Sequence, residues 1–441
     1  MGDDYDNDII IGMSTRIKLL LVLLTLLVMS GLVATLPPVR ESLAYHFEDL
    51  KTRLRYALYP PEKVVFVPQA AIATAVQATV SAFTPDPSAT LAPSATLPAQ
   101  VDTPTPAPTA TPLPSAFALQ GVRYINQHGL WNYCAPANLA MELSYWGWTG
   151  TREDIGNYVK PFQEDKNVMP YELADYVTSQ TKLSVALRYG GTLDLLKKLV
   201  ANGYVVLIEK GTFITDTTGT LSWMGHYNVV TGYSDTTREV IVQDSYFKPD
   251  MHIPYDTITQ EWRAFDNVFL VVYPAEKEQN LMAVLGDYAD ADNSSRIAAK
   301  HASDEIYTLT GNDQFFAWFN LGTSLVNLQD YAGAAAAYDA AFKLYPSLAE
   351  NKRPWRMMWY QTGPYFAYFY MGRYQDVINL ATQTIDYVEK PYLEESFYWR
   401  GRARAATGEV NEDISDQRTA LKYHPGFQPA LDELNRLGLG N

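Results

Sequence analysis

Residues 133–146 read YCAPANLAMELSYW, and this stretch decides how the middle of the chain folds. The run from Asn138 to Trp146 consists of good helix formers and is ended by Gly147. Pro136 suits the first turn of a helix, where a backbone N–H has no partner within the helix. The pattern therefore predicts a helix that begins near Cys134.

Cys134 is the only cysteine among the 441 residues. The chain can therefore form neither an intramolecular disulfide nor a zinc site with several cysteines. At a helix N-terminus the macrodipole favours the thiolate, which is the reactive form of cysteine. This position indicates a functional thiol, and the alternative interpretation is a small buried apolar side chain.

Length and charge limit the possible functions. A chain of 441 residues with 47% hydrophobic residues is long enough for two or three domains with real cores. The net charge is −15, with a pI near 4.9. Such a chain repels a phosphate backbone, so nucleic acid is not an expected partner.

The N-terminal region predicts a membrane anchor. Residues 19–36 carry no charge and are preceded by Arg16 and Lys18. This length is sufficient to cross a hydrocarbon layer of about 30 Å. The positive-inside rule then gives a cytoplasmic segment over residues 1–16, a transmembrane helix over residues 17–36, and a position outside the cytoplasm for all that follows. Translation from Met13 and a cleaved signal peptide remain open alternatives.

Two segments separate this anchor from the first globular domain. In residues 37–66, leucines and a phenylalanine recur every three or four positions, which predicts an amphipathic stalk on the lipid headgroups or, alternatively, a short coiled coil. Residues 67–115 are rich in Pro, Thr and Ala and cannot form a core. They predict an extended linker.

Residues 116–275 predict a domain of the α+β class, because helical patterns come first and strands follow. Besides the helix at Cys134, helices are expected over residues 169–180 and 193–201. Strands rich in Val, Ile and Tyr are expected over residues 204–209, 226–233, 239–243 and 268–273.

Residues 279–441 have a helical and repetitive sequence. The spacing in the first repeat resembles the 34-residue tetratricopeptide pattern, which is carried here by Trp318, Gly322, Ala334, Tyr338, Ala341 and Pro346. Two further copies follow, and the middle copy has Pro364 where a helical residue is usual. The resemblance implies an all-α solenoid with a surface that binds a protein partner.

A histidine and an aspartate are expected to meet in this sheet. His226 begins one predicted strand, and Asp244 directly follows the next. If residues 235–237 form a three-residue loop, the numbers of paired residues add to 472, and Asp244 lies diagonally beside His226 on the same face. A two-residue loop would place the two side chains on opposite faces.

Four segments together resemble the C39-like cysteine peptidases of the papain-like fold. They are Gln127, residues 133–138, residues 225–230 and residues 242–244. The resemblance implies Cys134 as nucleophile, His226 as general base and then acid, and Asp244 as the group that orients the imidazole. It also implies Gln127 as a donor to the oxyanion, beside the Cys134 backbone N–H.

Three departures from the family pattern stand near these residues. Ala135 replaces the usual Gly, and Ser245 follows the aspartate where Pro is common. The spacing between Gln127 and Cys134 also leaves Asn126 or His128 as alternative oxyanion donors.

The sequence thus predicts a membrane-anchored, extracytoplasmic cysteine peptidase that acts on a peptide or protein substrate and binds a protein partner through its repeats. Two alternatives remain open: a catalytically idle papain-like domain in a binding scaffold, and a thiol-dependent acyltransferase or amidase. No cofactor is expected. No metal site is expected either, because the acidic run at residues 287–293 lacks the Gly and terminal Glu of an EF-hand loop.

Overall fold

The computed structural model describes residues 17, 19–25, 29, 50–68, 112–215 and 219–440. The predicted cytoplasmic segment, and most of the predicted transmembrane helix and linker, lie outside these residues. Among the helices that are described, none is both long and apolar enough to cross a membrane.

The described residues from Pro61 onward, apart from residues 215–220, belong to one compact unit. This unit contains an α+β domain (residues 116–285) and a helical module (residues 291–436). Residues 50–58 form a helix within a separate unit.

The α+β domain contains seven strands and six α-helices among its described residues. The strands are β1 Ala116–Ala118, β2 Leu183–Arg188, β3 Val206–Thr215, β4 Leu221–Ser234, β5 Glu239–Gln243, β6 Met251–Pro254 and β7 Phe269–Pro274. The helices are α1 Cys134–Tyr145, α2 Arg152–Val159, α3 Pro170–Gln180, α4 Leu193–Ala201, α5 Tyr255–Arg263 and α6 Glu278–Leu285. The sequence analysis did not identify β1, β2, β6, α2 or α5.

All strands join one sheet in the order β2-β7-β3-β4-β5-β6, with β1 also paired to β4. Alternate residues of β3 and the segment before it point to opposite faces, so Val205 and Leu207 join one core while Val206 and Ile208 join the other. Helices α1 to α3 cover the first face, and α4 to α6 cover the second. Because α1 packs directly on β4, the start of this helix is held beside the strand that carries His226.

The helical module is built of antiparallel helix pairs. Its helices are α7 Ala291–Ile306, α8 Gly311–Asn327, α9 Tyr331–Leu344, α10 Met357–Tyr360, α11 Gly363–Tyr370, α12 Tyr374–Asp386, α13 Glu394–Ala406, α14 Val410–Tyr423 and α15 Gln428–Arg436. Gly372 and Gly408 separate the helices of the second and third pairs, with φ of 71° and 95°. Such positive φ angles are accessible to glycine without strain, so both glycines fit the ends of helices.

The α+β domain and the helical module share one hydrophobic core. Trp223 of β4 stacks on Phe265 of the same domain and on Phe316 of α8, with ring centroids 5.8 and 5.7 Å apart. Next to these rings, the Ser324 hydroxyl donates to the buried carboxylate of Asp266 at 2.6 Å. This continuous packing fixes the helical module against the edge of the α+β domain.

The last residues of the predicted stalk also join this core. Phe66 is 5% exposed and packs with its ring centroid 5.0 Å from that of Phe342. The Arg353 guanidinium donates to the Glu62 carbonyl at 2.9 Å. This end of the predicted stalk is therefore a packed part of the helical module.

Candidate active site

Cys134 is the first residue of α1, as the pattern at residues 133–146 predicts. Its side chain is half-buried, and α1 has no side-chain cap at its N-terminus. Unpaired backbone N–H groups at such an end create a positive partial charge. The thiol therefore lies where a negative charge is stabilised and where a substrate can still approach.

His226 lies between Cys134 and Asp244. The His226 ring is 2% exposed, and its Nε2 is 2.9 Å from Asp244 Oδ1. The Cys134 thiol lies close enough to the same ring to interact with it electrostatically. Because Nε2 faces the carboxylate, Nδ1 is the nitrogen available to the thiol. The structure thus brings these three predicted residues together in one site.

The strand register that brings His226 and Asp244 together differs from the predicted route. Ser234 pairs with Glu239, so the hairpin loop has four residues (235–238), and the predicted three-residue loop is wrong. The register then shifts between Val230 and Gly232. This bulge restores the pairing of Val230 with Val242 that the predicted register requires, because the extra residue in β4 offsets the extra residue in the loop.

Asp244 is held in place by several donors. It is fully buried, and its Oδ1 accepts hydrogen bonds from the backbone N–H groups of Tyr246 and Phe247 at 2.8 and 3.0 Å. Its Oδ2 accepts from the Asn228 amide at 2.8 Å. Since both oxygens are anchored, the carboxylate can fix the orientation of the His226 ring.

The electrostatic environment favours a protonated His226 beside an ionised Asp244. Burial disfavours a protonated His226, but the charge and hydrogen bonds of Asp244 and Cys134 outweigh it and raise the pKa of His226 to about 9. Burial likewise raises the pKa of Asp244, yet His226 and the anchoring donors hold that pKa well below its usual range. An imidazolium beside the thiol is therefore stable at neutral pH and can stabilise a thiolate.

Gln127 is joined to this site through Ser245. The Ser245 hydroxyl donates to Gln127 Oε1 at 2.8 Å and accepts from the Asn138 amide of α1 at the same distance. The Gln127 backbone N–H also donates to the Ser245 carbonyl at 2.9 Å. Because Oε1 accepts from the serine, the amide Nε2 of Gln127 remains available as a donor.

The alternatives to Gln127 have other contacts. His128 is exposed, and its Nε2 is 2.8 Å from the Tyr246 carbonyl. Asn126 is also exposed, and its side-chain oxygen accepts from the His128 backbone N–H at 3.2 Å. Neither residue shares the bridge to α1 that Ser245 provides for Gln127.

Two family models match parts of the chain. Residues 119–273 match the model of the C39-like peptidase family, and residues 315–348 match that of the tetratricopeptide repeat. The α+β domain is similar to C39-like peptidases. The chain was also compared with curated proteins, and none matches.

Two solved structures are similar to part of the chain. A C39-like peptidase from Bacillus anthracis is 18% identical, with a TM-score of 0.30, and the match covers 36% of this chain and 96% of that one. Xylellain, a cysteine protease from Xylella fastidiosa, is 13% identical, with a TM-score of 0.29, and the match covers 37% of this chain and 87% of that one.

The C39-like domain also contains a buried acid that the sequence analysis missed. Glu209 of β3 is 1% exposed, and its Oε2 lies 3.0 Å from the Tyr227 hydroxyl, which is also 3.0 Å from the Val168 carbonyl. Burial raises the pKa of Glu209 well above its usual value, with a contribution from the nearby Cys134. A protonated Glu209 can donate to Tyr227 while Tyr227 donates to Val168, so both hydroxyl protons have acceptors. Its signal in the sequence was an acidic residue at the end of an otherwise apolar predicted strand.

A second residue that the sequence analysis missed comes from the helical module. Tyr360, at the end of α10, is buried, and its ring would lie 3.0 Å from a Cβ atom on Gly225. Burial, with a contribution from Cys134, raises the pKa of Tyr360. The repeat module thus reaches the backbone next to His226, and no local pattern in the sequence signals this contact.

Proposed function

We propose that the C39-like domain hydrolyses peptide bonds, with Cys134 as nucleophile and His226 as general base and then acid. The observation that carries this proposal is the position of the His226 ring, which lies beside the Cys134 thiol on one side and 2.9 Å from Asp244 on the other. A nucleophile, a base and a group that orients the base are the minimum set for acyl transfer at an amide.

In the first half of the reaction, the Cys134 sulfur attacks the carbonyl carbon of the substrate. The C–N bond then breaks, while the His226 imidazolium gives its proton to the leaving amine. In the second half, water attacks the thioester and gives one proton to His226. The C–S bond then breaks, which restores the Cys134 thiolate and releases the carboxylic acid product. Asp244 keeps the ring in place and stabilises its positive charge in both halves.

The oxyanion that forms in each half needs hydrogen-bond donors. We assign this role to the Cys134 backbone N–H and to the side-chain amide of Gln127. The hydrogen bond from Ser245 to Gln127 Oε1 supports the assignment, since it leaves the amide N–H groups of Gln127 for the substrate. Ser245 stands where Pro is common in the family, and Pro could not supply this hydroxyl.

The tetratricopeptide-like module is proposed to bind a protein substrate or partner. Its shared core with the C39-like domain would present a bound protein at a fixed position relative to Cys134. We further propose that residues 17–36 anchor the chain in a membrane with both folded parts outside the cytoplasm. The uncharged run and the basic residues before it support this proposal.

A product analysis tests the proposed reaction. The full chain and its Cys134→Ala variant are incubated with a peptide mixture in water enriched in ¹⁸O, with a simple amine added as a competing acceptor. We expect new peptide C-termini that carry ¹⁸O, formed by the wild type alone. Amine adducts in place of labelled acids would indicate an acyltransferase, and equal products from both proteins would indicate an idle domain.

A further inference from the structure

Among the described residues, one group of three ligand-type side chains converges closely enough to hold a metal ion, and it lies outside the proposed active site. The group consists of Asp165, Glu394 and His424, whose ligand atoms all lie within 4.8 Å of one another. Asp165 belongs to the loop between α2 and α3, Glu394 begins α13, and His424 directly follows α14. The group therefore joins the C39-like domain to the far end of the helical module.

All three side chains are buried. Asp165 and Glu394 are each 2% exposed, and His424 is 8% exposed. Two more buried acids surround them, namely Glu172 of α3 and Glu395 of α13. Four carboxyl groups in one buried cluster repel each other strongly if they are ionised, so the cluster favours a compensating positive charge.

Lys160 is a buried cation beside this cluster, but its hydrogen bonds go elsewhere. Its Nζ donates to the backbone carbonyls of Trp131, Gln163 and Asp165, at 2.9 to 3.1 Å. An ammonium group has three N–H donors, and these three carbonyls use all of them. Lys160 therefore contributes charge to the cluster without a hydrogen bond to its carboxylate oxygens.

Two carboxylate oxygens in the cluster have no hydrogen-bond partner among the described residues. They are Asp165 Oδ2 and Glu394 Oε2. The other oxygen of each group is engaged, since Asp165 Oδ1 accepts from the Asn167 backbone N–H and Glu394 Oε1 lies 2.9 Å from His424 Nδ1. A buried carboxylate oxygen without a donor calls for a partner, which can be an ordered water or a bound ion.

We propose that this cluster binds one divalent transition-metal ion, with zinc as the best match to its ligand set. Asp165, Glu394 and His424 would be the protein ligands, and Glu172, whose Oε1 is 3.9 Å from His424 Nδ1, is placed to complete the site. No metal site was expected from the sequence. These three residues are far apart in the chain and form no local motif that could signal one.

The donor types determine the choice of ion. One imidazole nitrogen with carboxylate oxygens suits zinc, whereas calcium and magnesium prefer oxygen ligands alone. Zinc holds nitrogen and oxygen ligands at about 2.0–2.2 Å, so the ligand atoms would lie roughly 3.4 Å apart in a tetrahedral site. The ligand atoms, which now lie within 4.8 Å of one another, would have to approach by up to about 1.4 Å to reach this geometry.

The metal would stabilise the wall of the proposed active site. The Asp165 carbonyl accepts a hydrogen bond from the Asn132 side chain at 2.9 Å, two residues before Cys134. In the same loop the Val168 carbonyl lies 3.0 Å from the hydroxyl of Tyr227, the neighbour of His226. An ion that holds Asp165 to Glu394 would therefore fix this loop and the C-terminal helices together.

A zinc titration tests the proposal independently of activity. The full chain carries Cys134→Ala, so that the catalytic thiol cannot bind the ion, and is first stripped with a chelator. Bound zinc and the dissociation constant are measured by competition with a chromophoric chelator, and thermal unfolding is followed in parallel. We expect about one zinc per chain, a higher Tm with zinc, and no such effect of calcium.

The variants make the assignment specific. His424→Gln and the isosteric Asp165→Asn are each expected to weaken zinc binding at least about a hundredfold, because each removes a direct ligand. His252→Gln is the matched control, since exposed His252 also faces a carboxylate, that of Glu239 at 3.1 Å. This control should bind zinc as tightly as the parent protein, which carries Cys134→Ala alone.

Circular dichroism of each variant without metal establishes that it is folded. If His424→Gln does not fold, Asp165→Asn decides the test, because its volume is unchanged. The proposal is overturned if the folded parent binds no zinc, or if the folded ligand variants bind it as tightly as the parent and the His252→Gln control do.

Discussion

Tyr360 of the helical module lies against Gly225, the residue that precedes His226 in the chain. A Cβ atom on Gly225 would lie only 3.0 Å from the Tyr360 ring and 2.8 Å from Phe265. The position of the proposed catalytic histidine therefore depends on a residue outside the C39-like domain.

Removal of the Tyr360 hydroxyl tests this dependence. Tyr360→Phe keeps the ring but removes the buried hydroxyl beside Gly225, at a cost of about 1 kcal/mol. If this energetic cost reduces the activation of Cys134 by His226, the rate of thiol alkylation should fall about fivefold. Tyr307→Phe, at a tyrosine that is 66% exposed, is the control and should alkylate like the wild type. An unchanged rate in Tyr360→Phe would show that the contact serves packing alone.

The shared core predicts that the C39-like domain and the helical module unfold together. Trp223 is 2% exposed between rings from both parts, so Trp223→Ala should lower the free energy of unfolding by about 3–5 kcal/mol. Leu221→Ala, on the same strand but 61% exposed, should change it little. Calorimetry of the full chain should show a single unfolding transition for both parts. In Trp223→Ala this transition should remain single and shift to a lower temperature. Two separate transitions, with only one of them shifted, would contradict a common core.

The His226–Asp244 pair predicts a pH-dependent stability. The folded pKa of His226 is raised from 6.5 to about 9, so its contribution is complete below about pH 6.5 and is lost as the pH rises through 9. The pKa of Asp244 is depressed from 3.8, so its contribution is complete above about pH 4 and is lost in stronger acid. The loss of unfolding free energy in Asp244→Asn should therefore be largest between about pH 4 and 6.5.

Urea denaturation from pH 3 to 10 measures this difference. Asp256→Asn is the control, because Asp256 is exposed in an ion pair with Arg238, and its effect should be small at every pH. A difference between wild type and Asp244→Asn that stays constant from pH 5 to 9 would contradict the charged pair.

Glu209 predicts a stability that falls as the pH rises above about 4.5. Its pKa is raised by burial, so the folded state keeps a proton that the unfolded chain loses above about pH 4.5. The free energy of unfolding of the wild type should therefore fall as the pH rises. Glu209→Gln has no such proton to lose, so this part of the fall should disappear. In urea denaturation, the free energy of unfolding of Glu209→Gln should rise relative to that of the wild type from pH 5 to 8. The control Glu276→Gln, at an exposed residue, should show no such rise. If the Glu209→Gln difference does not change with pH, Glu209 is ionised in the folded state.

The sequence predicted the local parts of this structure well and the long-range parts poorly. The helix at Cys134 follows from Pro136 and the formers after it, and α1 begins at that residue. The hairpin loop and its bulge could not be predicted, because β4 is buried along most of its length and its sequence fits either loop length. The predicted pairing near His226 was correct only because the extra loop residue and the bulge in β4 compensate for each other.

Residues that meet across the fold were missed for a different reason. The contact of Tyr360 with Gly225 and the cluster around Asp165 join the C39-like domain to helices far along the chain. Each of these residues looks ordinary among its sequence neighbours. Only the packing of the helical module on the α+β domain brings them together.

The central claim is that His226 activates Cys134, and the pH dependence of thiol alkylation tests it most directly. The full chain, His226→Ala and the exposed-histidine control His252→Ala are treated with an alkylating reagent across the pH range, with intact mass as readout. An activated pair predicts rapid alkylation well below pH 8 in the wild type and the control, and its loss in His226→Ala. Slow alkylation in all three proteins that rises only near about pH 8.5, the ordinary pKa of a thiol, would contradict the proposed mechanism.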